Sequence, residues 1–557
     1  MTAFGGKSTG SADLNGKPLT VESFNTDCFV VTQQDNHWPF LTCEETISYA
    51  AQLYLGENAA GVQSGVDSII KKMGLESCRS TKVGNMFMQG LSGGQKRRLS
   101  IALALVKQPT LMFLDEPTSG LDAAAAANIM REITSLAAQE NLVIVATIHQ
   151  PSSKVYARFD QVMILSGGRE AFCGKVDQTI PYFEKIGYSL ESFSNPAEFF
   201  LDLVNNDFVD QVEVDKILDQ WAATKSQGGL IATDSTEELA KLATEKPLDS
   251  PRSVLLDKKT GICHEMAVMM RRHALLISRD PATYIGRAVI FLSCNLFFSL
   301  VYIKARERIQ SQVLNRMWLS IWYVGVPANM GVVAVYALNE EYKSVAREIK
   351  NGMVSPASYV MAKTVLSLPI MFIWAIFALL PAYTFMGYDS SNYLLMLCVW
   401  ACMIYSWECM AELLAVAFDN PLLGMLNFMQ LWFSAFLFGG FLLPGADMYW
   451  PLKIFFYILP IKYATRSMNY VDNIDAKYDG CHNYMDDDEE ICFGKDGKDV
   501  LKGIGQIYPL ITQRNTLGTD IPILIAIAVF FKIQYIGLLF VKSRMVSKLA
   551  SVKTGDV

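Results

Sequence analysis

Apolar positions along the chain change rhythm near residue 280. Upstream they come in short runs of strand length. Thr26 to Gln34 is a β-rich run ending in amides, and Leu111–Leu114 and Leu142–Ile148 are continuous apolar runs suited to buried parallel strands. Val162–Leu165 followed by Gly167-Gly168-Arg169 predicts a hairpin, and a helix is expected from about Lys96 to Val106. From 211 to 260 the periodicity is lost among Lys, Glu, Asp, Ser and Gly, the composition of a linker. His264–Asp280 is basic and amphipathic, with Arg271, Arg272 and Arg279, and suits a helix lying along a membrane face. Six apolar stretches follow near 283–303, 317–338, 359–380, 393–416, 422–443 and 519–541, each of about twenty residues, enough to cross the hydrocarbon core. The pattern divides the chain into an α/β domain over 1–210, a linker over 211–262, and an all-α polytopic membrane domain with six spans over 263–557.

Composition agrees with that division. The 557 residues are 51% hydrophobic and 18% charged, with a mean hydropathy of +0.23, whereas a soluble protein carries about 25% charge. A net charge of -7 argues against nucleic acid as a partner. Cys28, Cys43, Cys78 and Cys173 are scattered without metal-ligand spacing and fit a reducing compartment. Met1 to Gly16 is small and polar, so no secretory signal is expected there and insertion falls to the internal spans.

Charge sets the expected orientation. Six spans return the C-terminus to the side of the α/β domain, and Lys542, Arg544, Lys548 and Lys553 agree, as do Lys343, Arg347 and Lys350 between spans two and three. Lys304, Arg306, Arg308 and Arg316 run against the rule. Glu408 and Glu412 lie one helical turn apart in span four, where carboxylates are costly. Glu412 is expected at the membrane interface. Glu408 is expected to pair structurally, with Lys363 as the candidate, or to touch a substrate.

The chemistry sits in the front domain. Leu91-Ser92-Gly93-Gly94-Gln95 opens a helix, where the dipole and free backbone N–H groups favour an anion; a glycine-rich turn with a serine cap is the plainer alternative. Asp115 and Glu116 follow an apolar strand at its C-terminal end, where open α/β sheets place their ligands. Ser119-Gly120-Leu121-Asp122 comes next, and His149 ends the strand Leu142–Ile148.

These pieces, in this order, resemble an ATP-binding cassette, and with the membrane half they resemble the White-type G subfamily of ABC transporters, nucleotide domain first. The resemblance implies a P-loop-type fold and a dimer of half-transporters, homomeric or heteromeric, that sandwiches ATP and Mg2+. Gln34 stands at the family's Q-loop position, reaching the magnesium or the attacking water. Ser92, Gly93, Gly94 and Gln95 cap the γ-phosphate of ATP held by the opposite cassette. Asp115 holds magnesium through water, and Glu116 is the general base. Asp122 communicates with the facing cassette, and His149 holds the γ-phosphate and water. Glu340–Asn351 resembles the coupling element that the nucleotide domain pushes. Lipids, sterols and other amphipathic small molecules are the substrates of similar proteins, and export is the family's default direction. The membrane is either the plasma membrane or an internal one, with the nucleotide domain cytosolic. The family carries cysteines in the loop 444–518; if that loop lies outside the cytosol, Cys481 and Cys492 can pair, the alternative being two free thiols.

One family piece is missing from this sequence. A phosphate-cradling loop needs G-x-x-x-x-G-K-[ST] between a strand and a helix. Gly6-Lys7-Ser8 does not qualify, because position 1 is methionine and no strand can precede it. The opening residues instead resemble the segment just after that loop, with Asn15-Gly16-Lys17-Pro18 as the next hairpin. Two readings stay open: an N-terminally truncated catalytic half-transporter, or a non-hydrolysing regulatory subunit whose own ATP site is degenerate.

Overall fold

The computed structural model describes residues 13–14, 17–56, 59–85, 88–191, 194–205, 210–226, 261–480 and 492–548. Lys7, Cys481, most of the expected linker (227–260) and Lys553 lie outside them. The chain forms two compact units, one comprising Met1–Gly261 with Lys350–Met353 and Val546–Val557, the other Ile262–Ile349 with Val354–Met545.

In the first unit, β1 (Asp13–Leu14) and β2 (Lys17–Pro18) form a small antiparallel pair. The central sheet is parallel, in the order β3 (Cys28–Val31), β4 (Leu111–Asp115), β5 (Val143–Thr147), with Leu111 opposite both Cys28 and Val143. Met112 and Leu114 are buried, as a central strand requires. The strand at Leu142–Ile148 departs from expectation: Val143 is 58% and Val145 50% exposed. The reason is topological. β5 ends the sheet, and among the described residues no strand pairs with its outer edge. β6 (Gln161–Ser166) and β7 (Arg169–Lys175) form a separate hairpin, turned by Gly167 and Gly168, both at positive φ as a tight two-residue turn demands.

Residues 211–226, at the start of the expected linker, form a helix. The helix Gln211–Ser226 buries Val214, Ile217, Leu218 and Trp221 against Phe172, Phe183 and Phe200 in an aromatic core. Lys350–Met353 also belong to this unit. The Asn351 side chain pairs with both backbone groups of Val30, accepting from its N–H at 2.9 Å and donating to its carbonyl at 3.1 Å, as a neighbouring strand would.

The second unit opens with α3 (Ile262–Arg279), numbered after α1 (Gly93–Lys107) and α2 (Ala123–Glu140) of the first unit. It continues with α4 (Arg287–Val301), α5 (Val313–Asn329), α6 (Gly331–Lys350), α7 (Pro356–Thr384), α8 (Tyr393–Ala417), α9 (Pro421–Leu437), α10 (Ile461–Asn473) and α11 (Leu517–Lys548). Five stretches among the described residues are long and apolar enough to cross a membrane: Thr283–Val301, Gln310–Lys350, Pro356–Thr384, Ser390–Ala417 and Leu517–Lys542. The expected span at 422–443 holds a shorter apolar helix than the other five. Its helix, α9, has 17 residues, about 26 Å, short of the ~30 Å hydrocarbon core, and the chain leaves it by way of Gly440 at positive φ. The expected loop 444–518 is largely built. Within it α10 buries Thr465, Ser467, Asn469 and Asp472.

Candidate functional site

The parallel register places the chemistry. Because Asp115 lies opposite Thr147, the end of β4 brings Asp115 and Glu116 beside the end of β5. Thr147 ties them together. Its hydroxyl donates to Asp115 Oδ1 at 2.8 Å and accepts from the Glu116 N–H at 3.0 Å. The Thr147 carbonyl takes the same N–H at 3.1 Å. Glu116 has a φ of 44°, a left-handed backbone that a glutamate adopts only where its surroundings fix it. Nothing in the sequence marks Thr147, and only strand register exposes its role.

The amide that reaches the acidic pair is Gln33, not Gln34. Gln33 Nε2 donates to Glu116 Oε2 at 2.6 Å. Gln34 contributes its backbone carbonyl to the Thr32 hydroxyl at 3.0 Å. The buried Arg97 sets this choice. Its guanidinium donates to the carbonyls of Thr32 at 2.8 Å and Gln33 at 2.6 Å, and its Nε stands 3.4 Å from Asp35. Ser100 completes the tie, donating to Asp35 at 2.6 Å with His37 Nε2 at 2.9 Å. With the loop backbone clamped, successive side chains leave in different directions, and a pair of adjacent glutamines in sequence gives no clue to which one that is.

The loop Leu91–Gln95 begins α1 with a reciprocal cap. Ser92 Oγ accepts from Gln95 N at 3.3 Å, and Gln95 Oε1 accepts from Ser92 N at 2.9 Å. That explains Ser92 and Gln95 as helix starters but leaves the glycines unexplained. A Cβ added at Gly94 would meet nothing within 4 Å, and at Gly93 only Leu121 at 3.6 Å. Packing within the chain does not demand glycine there; close approach by something outside it would. Asp122 has a local role as the cap of α2, accepting from Ala124 N at 3.0 Å and Ala125 N at 2.8 Å. His149 is exposed, two residues beyond Thr147 at the same end of the sheet. A carboxylate at a strand end with a nearby amide offers the oxygen donors that a hard divalent cation takes alongside phosphate oxygens, so Asp115 and Gln33 fit Mg2+.

In the second unit the structure revises the charge pairing. Glu408 pairs with Arg287 at 2.7 Å, while Lys363 pairs with Glu341 at 2.8 Å. Glu412 is buried and pairs with Lys532 at 2.5 Å. Cys492 is disulfide-bonded, and Cys481, its expected partner, lies outside the described residues.

Comparison with known proteins agrees with this architecture. The ABC transporter family matches residues 2–119, and two ABC-2 type transporter families match 149–246 and 264–471. ABC transporter G family member 7 of Arabidopsis thaliana is 30% identical over 65% of this chain and 50% of its own length. ATP-binding cassette sub-family G member 8 of Rattus norvegicus is 29% identical over 66% of this chain and 54% of its own. An uncharacterized ABC transporter ATP-binding protein/permease of Saccharomyces cerevisiae is 30% identical over 65% of this chain and 28% of its own. The chain spans about half the length, or less, of these relatives. A nucleotide-binding domain followed by a polytopic helical domain defines an integral membrane ABC transporter chain. Over these stretches the chain is similar to members of the G family of ABC transporters.

Proposed function

We propose that this chain is an ATP-driven half-transporter that works as a dimer, homomeric or heteromeric, and exports lipid, sterol or other amphipathic small molecules across its membrane, with the first unit in the cytosol. The observation that carries the reading is the constellation Asp115, Glu116, Gln33 and Thr147 at one sheet end. Asp115 and Gln33 would hold Mg2+, which when bound neutralises phosphate charge. Glu116 accepts the proton of the attacking water as its oxygen bonds to the γ-phosphorus and the bond to the β-phosphate oxygen breaks. Gln33 holds the Glu116 carboxylate at 2.6 Å, and the fixed backbone at Glu116 keeps it from swinging away. His149 steadies the γ-phosphate and water. The open surface at Ser92, Gly93, Gly94 and Gln95 supports a second cassette's nucleotide docking there, with Asp122 at the start of α2 sensing it. Residues 350–353 support coupling: the chain leaves the second unit for four residues, is clamped in the first, and returns. The test is Mg·ATP hydrolysis by protein purified from its native membrane, compared with Glu116→Gln. A fall of about a hundredfold or more is expected for loss of a general base; equal rates would remove Glu116 from the chemistry.

A further inference from the structure

A groove of about 290 Å³ runs along the second unit between α4 and α7. One wall is Tyr284, Ala288, Val289 and Leu292; the other is Ile373 and Phe377, with Trp374 in its floor. The wall from Tyr284 to Leu292 runs about 12 Å along the helix axis. The groove is open at the side, since Val289 is 55% and Ile373 50% exposed. Its near end is shaped by a π-helical turn, Ala282–Gly286, between α3 and α4. Such turns interrupt a helix only locally and cluster at functional sites.

Three observations say what fills it. Both walls belong to stretches long and apolar enough to cross a membrane, so the surrounding medium is acyl chain and not water. Every lining side chain is apolar or aromatic. The polar groups closest to the floor are already committed. Trp374 Nε1 donates to the Tyr284 carbonyl at 3.0 Å, and the Arg287 guanidinium lies 4.1 Å from the Trp374 ring centroid with its charge on Glu408. Apart from the Tyr284 hydroxyl the lining side chains offer a ligand no free hydrogen-bonding group, so a hydroxyl or an amine held deep in the groove would lose most of its hydrogen bonds. An alkyl chain loses nothing and restores dispersion contacts that an unfilled groove forgoes.

We propose that the groove is a binding site for one acyl chain of a bilayer phospholipid, held between α4 and α7 in addition to the ordinary lipid layer. The assignment is independent of ATP hydrolysis.

The full chain is reconstituted in phosphatidylcholine nanodiscs containing a phosphatidylcholine with a diazirine in its acyl chain, photolysed, and mapped by mass spectrometry. Cross-links are expected to concentrate on residues 284–292 and 370–377 relative to the comparably exposed apolar residues Leu422, Leu426 and Phe433 of α9. Val289→Trp and Ile373→Trp, each filling the groove from one wall, should lower that labelling by about fivefold or more, as displacing several buried methylenes implies, without changing labelling on α9. Uniform labelling of all lipid-facing helices would reduce the groove to ordinary bilayer contact and overturn the site. Preferential labelling by a diazirine cholesterol under the same conditions would overturn the acyl-chain assignment. The wild-type map decides the matter even if neither variant folds.

Discussion

The Lys107 ammonium reaches the backbone carbonyl of Asn351 at 2.9 Å and that of Cys28 at 2.7 Å, joining the end of α1, the edge strand β3 and the four-residue insertion 350–353 at one point. The Tyr54 hydroxyl donates to the same Asn351 carbonyl at 3.1 Å. Burial pushes the Lys107 ammonium down from its ordinary value to about 8. The unfolded lysine keeps its proton up to about pH 10.5, so the unfolded state binds more protons between the two values and stability rises with pH across that window. Below pH 8 the penalty is constant. A shift of that size corresponds to about 3 kcal/mol. Thermal unfolding of the first unit, followed from pH 8 to 10, should move upward in the wild type, and Lys107→Met should remove that rise. An unchanged slope in Lys107→Met would assign the pH dependence to another group.

Gln33 and Gln34 separate cleanly by mutation. Gln33→Ala removes the 2.6 Å contact to the Glu116 carboxylate and should lower hydrolysis by roughly 10- to 100-fold, the scale of losing one positioning contact in a general-base site. Gln34→Ala keeps the backbone carbonyl used by Thr32 and should stay near the wild-type rate. Steady-state ATPase assays on equal amounts of folded protein read the difference. A larger loss in Gln34→Ala would restore the assignment that the sequence suggests.

How far the sequence could be read follows from which signals are local. The strand Leu111–Leu114, the acidic pair after it, the Gly167-Gly168 hairpin and five of the span positions rest on short patterns and emerge in the fold. Exposure of Val143 and Val145 depends on whether a neighbouring strand exists, which no window around β5 encodes. The same holds for charge. Arg308 and Arg316 break the positive-inside pattern only while their partner is unknown, and that partner is Asp472, more than 150 residues away in sequence and fully buried. Residues 422–443 are mostly apolar, yet the helix ends at Leu437, just before Gly439 and Gly440, where Phe441 and Phe456 pack against the bare backbone.

Asp472 therefore carries two cations. It receives Arg316 in a bidentate pair at 2.7 and 2.8 Å, and Arg308 at 3.2 Å. Arg316 spends its remaining donor on the carbonyls of Ala305 at 2.9 Å and Met386 at 3.2 Å. Asp472→Asn leaves a buried guanidinium without its counter-ion, which costs about 3–5 kcal/mol. The expected result is a large fall in melting temperature and in the yield of folded protein from membranes. Arg308→Gln, which removes the more exposed and longer contact, should cost under about 1 kcal/mol. Comparable losses in the two variants would mean the bidentate pair is not the anchor.

Glu408 and Arg287 form the pair that best distinguishes structure from substrate contact inside the membrane half. Arg287 donates to Glu408 through two nitrogens, at 3.2 and 2.7 Å, while lying over the Trp374 ring. Both side chains are largely buried, so neither charge is tolerated alone. Glu408→Gln should cost about 3 kcal/mol by stranding the Arg287 cation, and Arg287→Met should cost a similar amount by stranding the carboxylate. Carrying both substitutions removes both charges and should cost no more than either alone, about 3 kcal/mol, which is a coupling energy of about 3 kcal/mol in a double-mutant cycle. Melting temperatures of the four proteins in detergent test this directly. If the double variant is as stable as either single variant but no longer transports, Glu408 meets cargo as well as arginine. If it transports normally, the carboxylate is there to balance Arg287, and the substrate path runs elsewhere in the membrane unit.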